Sequence, residues 1–164
     1  MMAMAESVAP EAAPSSDYLE LLQLVERLHR QLLDVVKDEL DREGLDDLNS
    51  VQALLLFNIG DQELTAGELR TRGHYLGSNV SYNLKKLVDA GYIRHQRSAV
   101  DRRSVRVSLT EGGHAVCSHL NALFERQGTS LAPVGGVEVE QLPAMNTALA
   151  RIERFWADHI RFRM

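Results

Sequence analysis

Near the start of the chain, apolar side chains return every three to five positions, at Leu21, Leu24, Leu28, Leu32, Val35 and Leu40. That step keeps them on one face of a helix. Asp17 with Glu20 has capping-box spacing just ahead of it, so the pattern predicts a long amphipathic helix from Asp17 to about Gly44. Asn49 with Gln52 opens a second helix through VQALLLFNI, and Gly60 stops it. This one is apolar around most of its circumference, which predicts burial. Residues 1–16 (MMAMAESVAPEAAPSS) carry no apolar period and predict a disordered tail.

The middle of the chain is punctuated more tightly. Thr65 and Glu68 form an S/T-x-x-E capping box that opens a short helix, AGELRTR, ended by Gly73. Ser78 is placed to cap the next helix, NVSYNLKKLVDA, which Gly91 closes. Val80, Leu84, Leu87 and Val88 make its inner stripe, leaving Asn79, Ser81, Tyr82, Asn83, Lys85 and Lys86 to point outward. The period then changes from helical to two. Tyr92–Arg97 and Ser104–Leu109 read as strands, the second with Val105, Val107 and Leu109 on one face and Arg106 and Ser108 on the other. A polar turn, SAVDRR, joins them.

After the hairpin, Thr110 is placed to cap a helix carrying Val116, Leu120, Leu123 and Phe124. APVGG breaks the chain, and a last helix carries Leu142, Met145, Leu149, Ile152, Trp156 and Ile160, with Pro143 in its first turn, where proline is tolerated. The expected fold class is mainly α with a small β-wing, a winged helix-turn-helix held between long flanking helices. The expected division is a tail (1–16), supporting helices (17–60), the winged unit (61–110) and C-terminal helices (111–164).

Composition narrows the class further. With 164 residues and 5% aromatics, one domain-sized core must be built mainly from Leu, Val and Ala. No apolar run reaches the roughly 20 residues that span a bilayer, and no signal peptide is visible. A lone Cys117 excludes an intrachain disulfide and fits a reducing compartment, so the cytoplasm is expected. The net charge of −5 conceals an asymmetry: Thr65–Leu109 holds nine basic and three acidic residues, a local excess of +6, while the remainder carries −11. Exposed charges beyond about 10 Å are largely screened at 0.1 M salt, so the local excess decides attraction to phosphate.

That excess coincides with the helix whose outward side chains suit a base edge. Asn can bond a base bidentately, Ser and Tyr reach bases or phosphates, and Lys neutralises phosphate. In the hairpin, Asp101 and Arg103 lie two apart beside Arg102. A carboxylate there can hold the guanidinium extended, ready for the negative potential of a minor groove. Against this stand the plainer readings of a solvated helix face and a surface salt bridge worth at most about 1 kcal/mol. The six histidines lack metal-ligand spacing, since His114 and His119 are five apart, so neither a metal nor a cofactor is expected. Cys117 reads as a small buried apolar residue ahead of a redox sensor. Nucleophile elbows, phosphate-binding glycine loops and paired catalytic carboxylates are all missing from the sequence, so an enzyme is not expected.

The run DRRSVRVSLTEGG (Asp101–Gly113) resembles the wing motif of the MarR family, D-x-R, an alternating strand, then L-T and a glycine. GSNVSYNLKKLVDAGYIRH resembles that family's recognition helix and following strand, and the resemblance extends from about Asp17 to Arg163. It implies a bacterial transcription regulator, expected to repress, that grips double-stranded DNA as a homodimer through intertwined outer helices. It makes Arg103 the minor-groove residue, Asp101 its orienter, and Ser78 to Lys86 the major-groove surface. Tyr82 departs from the pattern, at a position where a basic residue is more usual. The resemblance also implies a small aromatic effector in a crevice lined by His29, Leu33, Leu56 and Phe57, residues that plain core packing explains equally well. The rival reading is a protein-interaction module whose basic face takes an acidic partner; the base-reading amides Asn79 and Asn83 argue for DNA.

Overall fold

The computed structural model describes residues 15–73, 77–97, 100 and 105–163, and for Gly73, Gly77 and Ser78 the backbone alone. The chain forms two compact units that divide at Leu55 and Leu56.

The first unit is dominated by α1 (Ser16–Arg42). Its cap is Ser15, whose Oγ accepts from the Tyr18 amide at 3.2 Å, so the helix starts ahead of the expected Asp17. The same amide also donates to the Ser15 carbonyl at 3.1 Å, and Asp17 then sits in the first turn, where its charge favours the helix dipole. Ser15 and Ser16, expected in the tail, are therefore ordered; residues 1–14 of that tail lie outside the described residues. The C-terminal end closes at Gly44, whose φ of +69° suits glycine, with Leu45 N donating to Leu40 O at 2.9 Å.

The apolar stripe of α1 divides in two. Val36 and Leu40 are buried, as are Leu48, Ala53 and Leu55. Leu24, Leu28 and Leu32, N-terminal to them along the stripe, remain exposed, as does Leu19 on the opposite side of the helix. Helix α2 (Ser50–Ile59) opens on a reciprocal box, Gln52 N donating to Asn49 Oδ1 at 2.8 Å and Asn49 N to Gln52 Oε1 at 3.1 Å. Ser50 Oγ donates to the Leu33 carbonyl at 2.6 Å and ties the start of α2 to α1.

The second unit takes up the end of α2, with Leu56 and Ile59 buried. It continues through β1 (Leu64–Thr65), α3 (Ala66–Gly73), α4 (Gly77–Asp89), β2 (Ile93–Arg97), β3 (Val105–Leu109), α5 (Glu111–Ser130), a 3-10 turn (Val139–Gln141) and α6 (Leu142–Phe162). The sheet is antiparallel in the order β1-β3-β2, with Leu64 opposite Val107 and Ile93 opposite Leu109. Leu69, Val80, Leu84, Leu87, Ile93, Val107, Leu109, Val116 and Leu120 form the core of this winged helix-turn-helix.

Two elements were not expected. Strand β1 is two residues long, and Thr65 serves both as its end and as the cap of α3, so no alternation could announce it. The 3-10 turn is held by Glu138 N donating to Gln141 Oε1 at 2.9 Å. Ser78, expected as the cap of α4, lies inside a helix that begins one residue earlier. Helix α6 has no buried residue: Leu142, Ile152 and Trp156 are half-buried, and Met145, Leu149, Phe155 and Ile160 are exposed. No described helix is long and apolar enough to cross a membrane.

Candidate nucleic-acid interface

The short α3 is fixed at its start by the capping box read from sequence: Glu68 N donates to Thr65 Oγ1 at 3.1 Å and Thr65 N to Glu68 Oε2 at 3.2 Å. Leu69 anchors it in the core at 1% exposure. Residues 74–76, between α3 and α4, lie outside the described residues.

Helix α4 divides cleanly into two faces. Val80, Leu84 and Leu87 are buried and Val88 is half-buried, so the inner stripe faces the core. Asn79, Ser81, Tyr82, Lys85 and Lys86 are exposed. Asn83, on the flank beside Leu84, is half-buried and makes an interaction within the protein. The Lys86 ammonium stands 5.6 Å from the Tyr82 ring centroid, one helical turn along. Such a cation over a phenol ring is attracted by the ring's negative face, which restrains both side chains.

The wing is built from β2 and β3, with Arg94 opposite Ser108 and Gln96 opposite Arg106. These four share one face of the hairpin because side chains alternate along a strand. On the other, Val107 and Leu109 are buried while Val105, nearer the tip, is exposed. Arg94 and Arg106 are exposed and add two cations that the sequence offered only as charge, without singling them out as contacts. The strand pairing that puts them on one face was the missing signal. Val100 is almost fully exposed at the wing's tip. Asp101, Arg102 and Arg103 lie outside the described residues, as does any side-chain geometry of Ser78.

The wing is locked to α5 by one hydroxyl. Thr110 Oγ1 donates to the Gly91 carbonyl at 2.6 Å and accepts from the Gly113 amide at 3.3 Å, while Thr110 N donates to Tyr92 O at 3.0 Å. The L-T-x-x-G part of the motif is therefore a joint between the helix-turn-helix, the wing and α5. Behind it, Cys117 is buried, and burial, with the Asp61 carboxylate nearby, pushes its thiol up to about 11. A thiol held protonated at neutral pH is a poor nucleophile.

The four residues expected around an effector differ in exposure. His29 is exposed on α1, and Leu56 is fully buried. Phe57 meets Phe124 edge-on, with centroids 5.4 Å apart. Leu33 lines an open cavity of about 430 Å³ together with Asp34, Lys37 and residues 48–51. Among the described residues no three His, Cys, Asp or Glu side chains gather as a metal site.

Residues 46–104 match the model of the MarR family. Over 145 residues, 88% of this chain and 74% of the relative, the sequence is 37% identical to the exopolysaccharide II synthesis transcriptional activator ExpG of Rhizobium meliloti (strain 1021). The fold is similar to that of Streptococcus pneumoniae FabT in complex with DNA, with a TM-score of 0.64 and 23% identity over 87% of this chain and 99% of that one. It is similar too to Staphylococcus aureus MarR in complex with salicylate and kanamycin, with a TM-score of 0.70 and 18% identity over 86% and 93% of the two chains.

Proposed function

This chain belongs to the MarR family, and from that premise we propose that it is a transcription regulator that binds duplex DNA sequence-specifically as a homodimer. The observation that carries the reading is the two-faced α4. One stripe is buried in the core, and the opposite side presents Asn79, Ser81, Tyr82, Lys85 and Lys86 to solvent, the equipment a helix needs in a major groove. Arg94 and Arg106 on the wing add phosphate contacts. The family's wing motif assigns Arg103 to the minor groove and Asp101 to holding it there, with Arg102 beside them.

The homodimer is supported by what the outer helices leave uncovered. Along its stripe α1 exposes Leu24, Leu28 and Leu32, and α6 exposes Met145, Leu149, Phe155 and Ile160. Contiguous apolar stripes on two long helices are expensive in water, and a second copy is the partner that symmetry provides. In this reading residues 17–60 and 111–164 carry dimerisation and support, and 61–110 carry recognition.

For the sign of regulation we follow the relative, which is named an activator, instead of the repression expected from sequence. An effector remains part of the proposal on the strength of the salicylate bound by the S. aureus protein, with Leu33 and Phe57 as the residues to probe. Regulation, and not catalysis, is what family membership supports. The test is a gel-shift titration on the gene's own upstream DNA, with in vitro transcription to read the sign. Saturable, competitor-resistant binding is expected; binding to acidic protein but to no duplex would overturn it.

A further inference from the structure

Tyr82 occupies a singular place on α4. At about 100° per residue, it lies roughly 200° around the helix from Val80, which is 2% exposed. Leu84 and Leu87 flank Val80 on the buried side, so Tyr82 stands at the middle of the outward face. It is 61% exposed, the one large apolar surface among Asn79, Ser81, Lys85 and Lys86. A phenol ring in that position gains little from its own protein. Among the described residues Lys86 faces it, with its ammonium 5.6 Å from the ring centroid, and steadies one side of the ring.

We propose that Tyr82 is a specificity-determining residue that reads thymine in the major groove through its C5-methyl group, with Lys86 positioning the ring. The proposal rests on the DNA-binding reading above and goes one step further, to which base is read. Of the groups that base pairs present in the major groove, the thymine methyl is the one that projects as an apolar knob, and apolar side chains discriminate it by contact. Asn79 can pair with a base through its amide; a ring face cannot, and matches the methyl instead. A ring restrained before binding loses less freedom on contact than a mobile one. Lys86 keeps its charge for a neighbouring phosphate while holding the ring. The competing use of Tyr82 is its hydroxyl on a phosphate, which would be indifferent to the base.

The experiment starts from duplexes that the full-length wild-type protein selects from a random-sequence pool. Each thymine of a selected half-site is then replaced by deoxyuridine, which pairs identically but lacks the methyl. Covering one methyl-sized group is worth roughly a fourfold change in affinity, so on the order of tenfold is expected when both half-sites lose it. Tyr82→Phe should keep that thymine-to-uridine ratio, and Tyr82→Ala should bring it to one while its melting temperature stays near wild type. Uridine tolerated everywhere by the wild type, or an unchanged ratio in Tyr82→Ala, would overturn the proposal and leave DNA binding intact. A wild-type thymine-to-uridine ratio of one, together with a loss of affinity in Tyr82→Phe, would assign the hydroxyl to phosphate and overturn it too. If the wild type selects no duplex, the DNA reading fails along with it.

Discussion

A β-carbon placed on Gly113 would collide with the carbonyl oxygen of Tyr92, deep inside contact distance, and would press on Leu109 Cβ at 3.2 Å. Tyr92 leads into the first wing strand and Gly113 lies in the first turn of α5, so the wing joint requires a residue without a side chain here. The neighbouring Gly112 is different: its nearest contact would be an ordinary 3.6 Å. Gly113→Ala is expected to destabilise by about 1–3 kcal/mol, as overpacked positions do. Gly112→Ala, in a helix where glycine is entropically costly, should be neutral or stabilising by up to about 1 kcal/mol. Denaturant melts of the two variants check this, and equal losses would mean that the close approach is not what the glycine serves.

The hydroxyl of Thr110 makes two bonds at the same joint, to Gly91 O and from Gly113 N. Thr110→Val keeps the shape and loses both, with the cap left open. An expected loss of about 1–2 kcal/mol follows from the usual cost of removing such a cap. A melt within error of wild type would show that water replaces the hydroxyl without cost.

How much of this was legible beforehand depended on how local each signal was. Asn49–Gln52, Thr65–Glu68 and Thr110 were read as caps because both partners lie within one turn, and the bonds are there. The inner stripe of α4 was legible for the same reason, since Val80, Leu84 and Leu87 share a face whatever they pack against. Strand β1 was not, because its two residues pair with Val107 and Arg106, some forty positions away. Arg94 and Arg106 entered the interface only once strand pairing put them on one face. Ser15 displaced Asp17 because two residues two positions apart could each cap, and no sequence pattern ranks the amides they would satisfy. Periodicity announced apolar stripes on α1 and α6, but it carries no information about what covers them.

Cys117 gives a pH-dependent expectation. Its thiol is raised from 9.0 to about 11 in the folded chain, so folding favours the protonated form. The stability this contributes is full below pH 9 and is lost as pH rises from about 9 towards 11, because the unfolded thiol ionises first. At pH 8 the native protein should react with a thiol reagent far more slowly than the denatured protein, and the stability loss specific to this window should vanish in Cys117→Ala. Rapid native labelling at pH 8 would instead mark Cys117 as an accessible, reactive thiol.

Electrostatic anchoring and base reading should separate experimentally. If a dimer neutralises on the order of 6 to 10 phosphates, affinity falls roughly 10³- to 10⁵-fold between 50 and 200 mM salt. Lys85→Ala and Arg94→Ala should flatten that slope and weaken binding to all duplexes alike, as should Arg103→Ala in the wing. Asn79→Ala should instead change which base is preferred, by about 1–3 kcal/mol for a lost bidentate contact. Salt-insensitive binding would favour an acidic protein partner over DNA.

The outer helices offer the sharpest separation of a lone chain from a dimer. Leu28 is 60% exposed on α1 and Leu149 is 43% exposed on α6, so a single subunit has little reason to resist a charge at either position. Surface substitutions of that kind usually move stability by no more than about 0.5 kcal/mol. In a dimer the same side chains are core, each worth roughly 1.5–3 kcal/mol when covered, and an introduced carboxylate meets its own symmetry copy or a partner's apolar surface. Leu28→Glu and Leu149→Glu are therefore expected to convert a dimer into a monomer, or into an aggregate of exposed subunits, in sedimentation equilibrium. Every residue that faces DNA would remain in place, yet affinity for a palindrome should fall steeply, because the two recognition helices would no longer be held about 34 Å apart. Half-site binding should weaken far less. Variants that stay dimeric and bind the full site with wild-type affinity would show that these stripes serve something other than self-association.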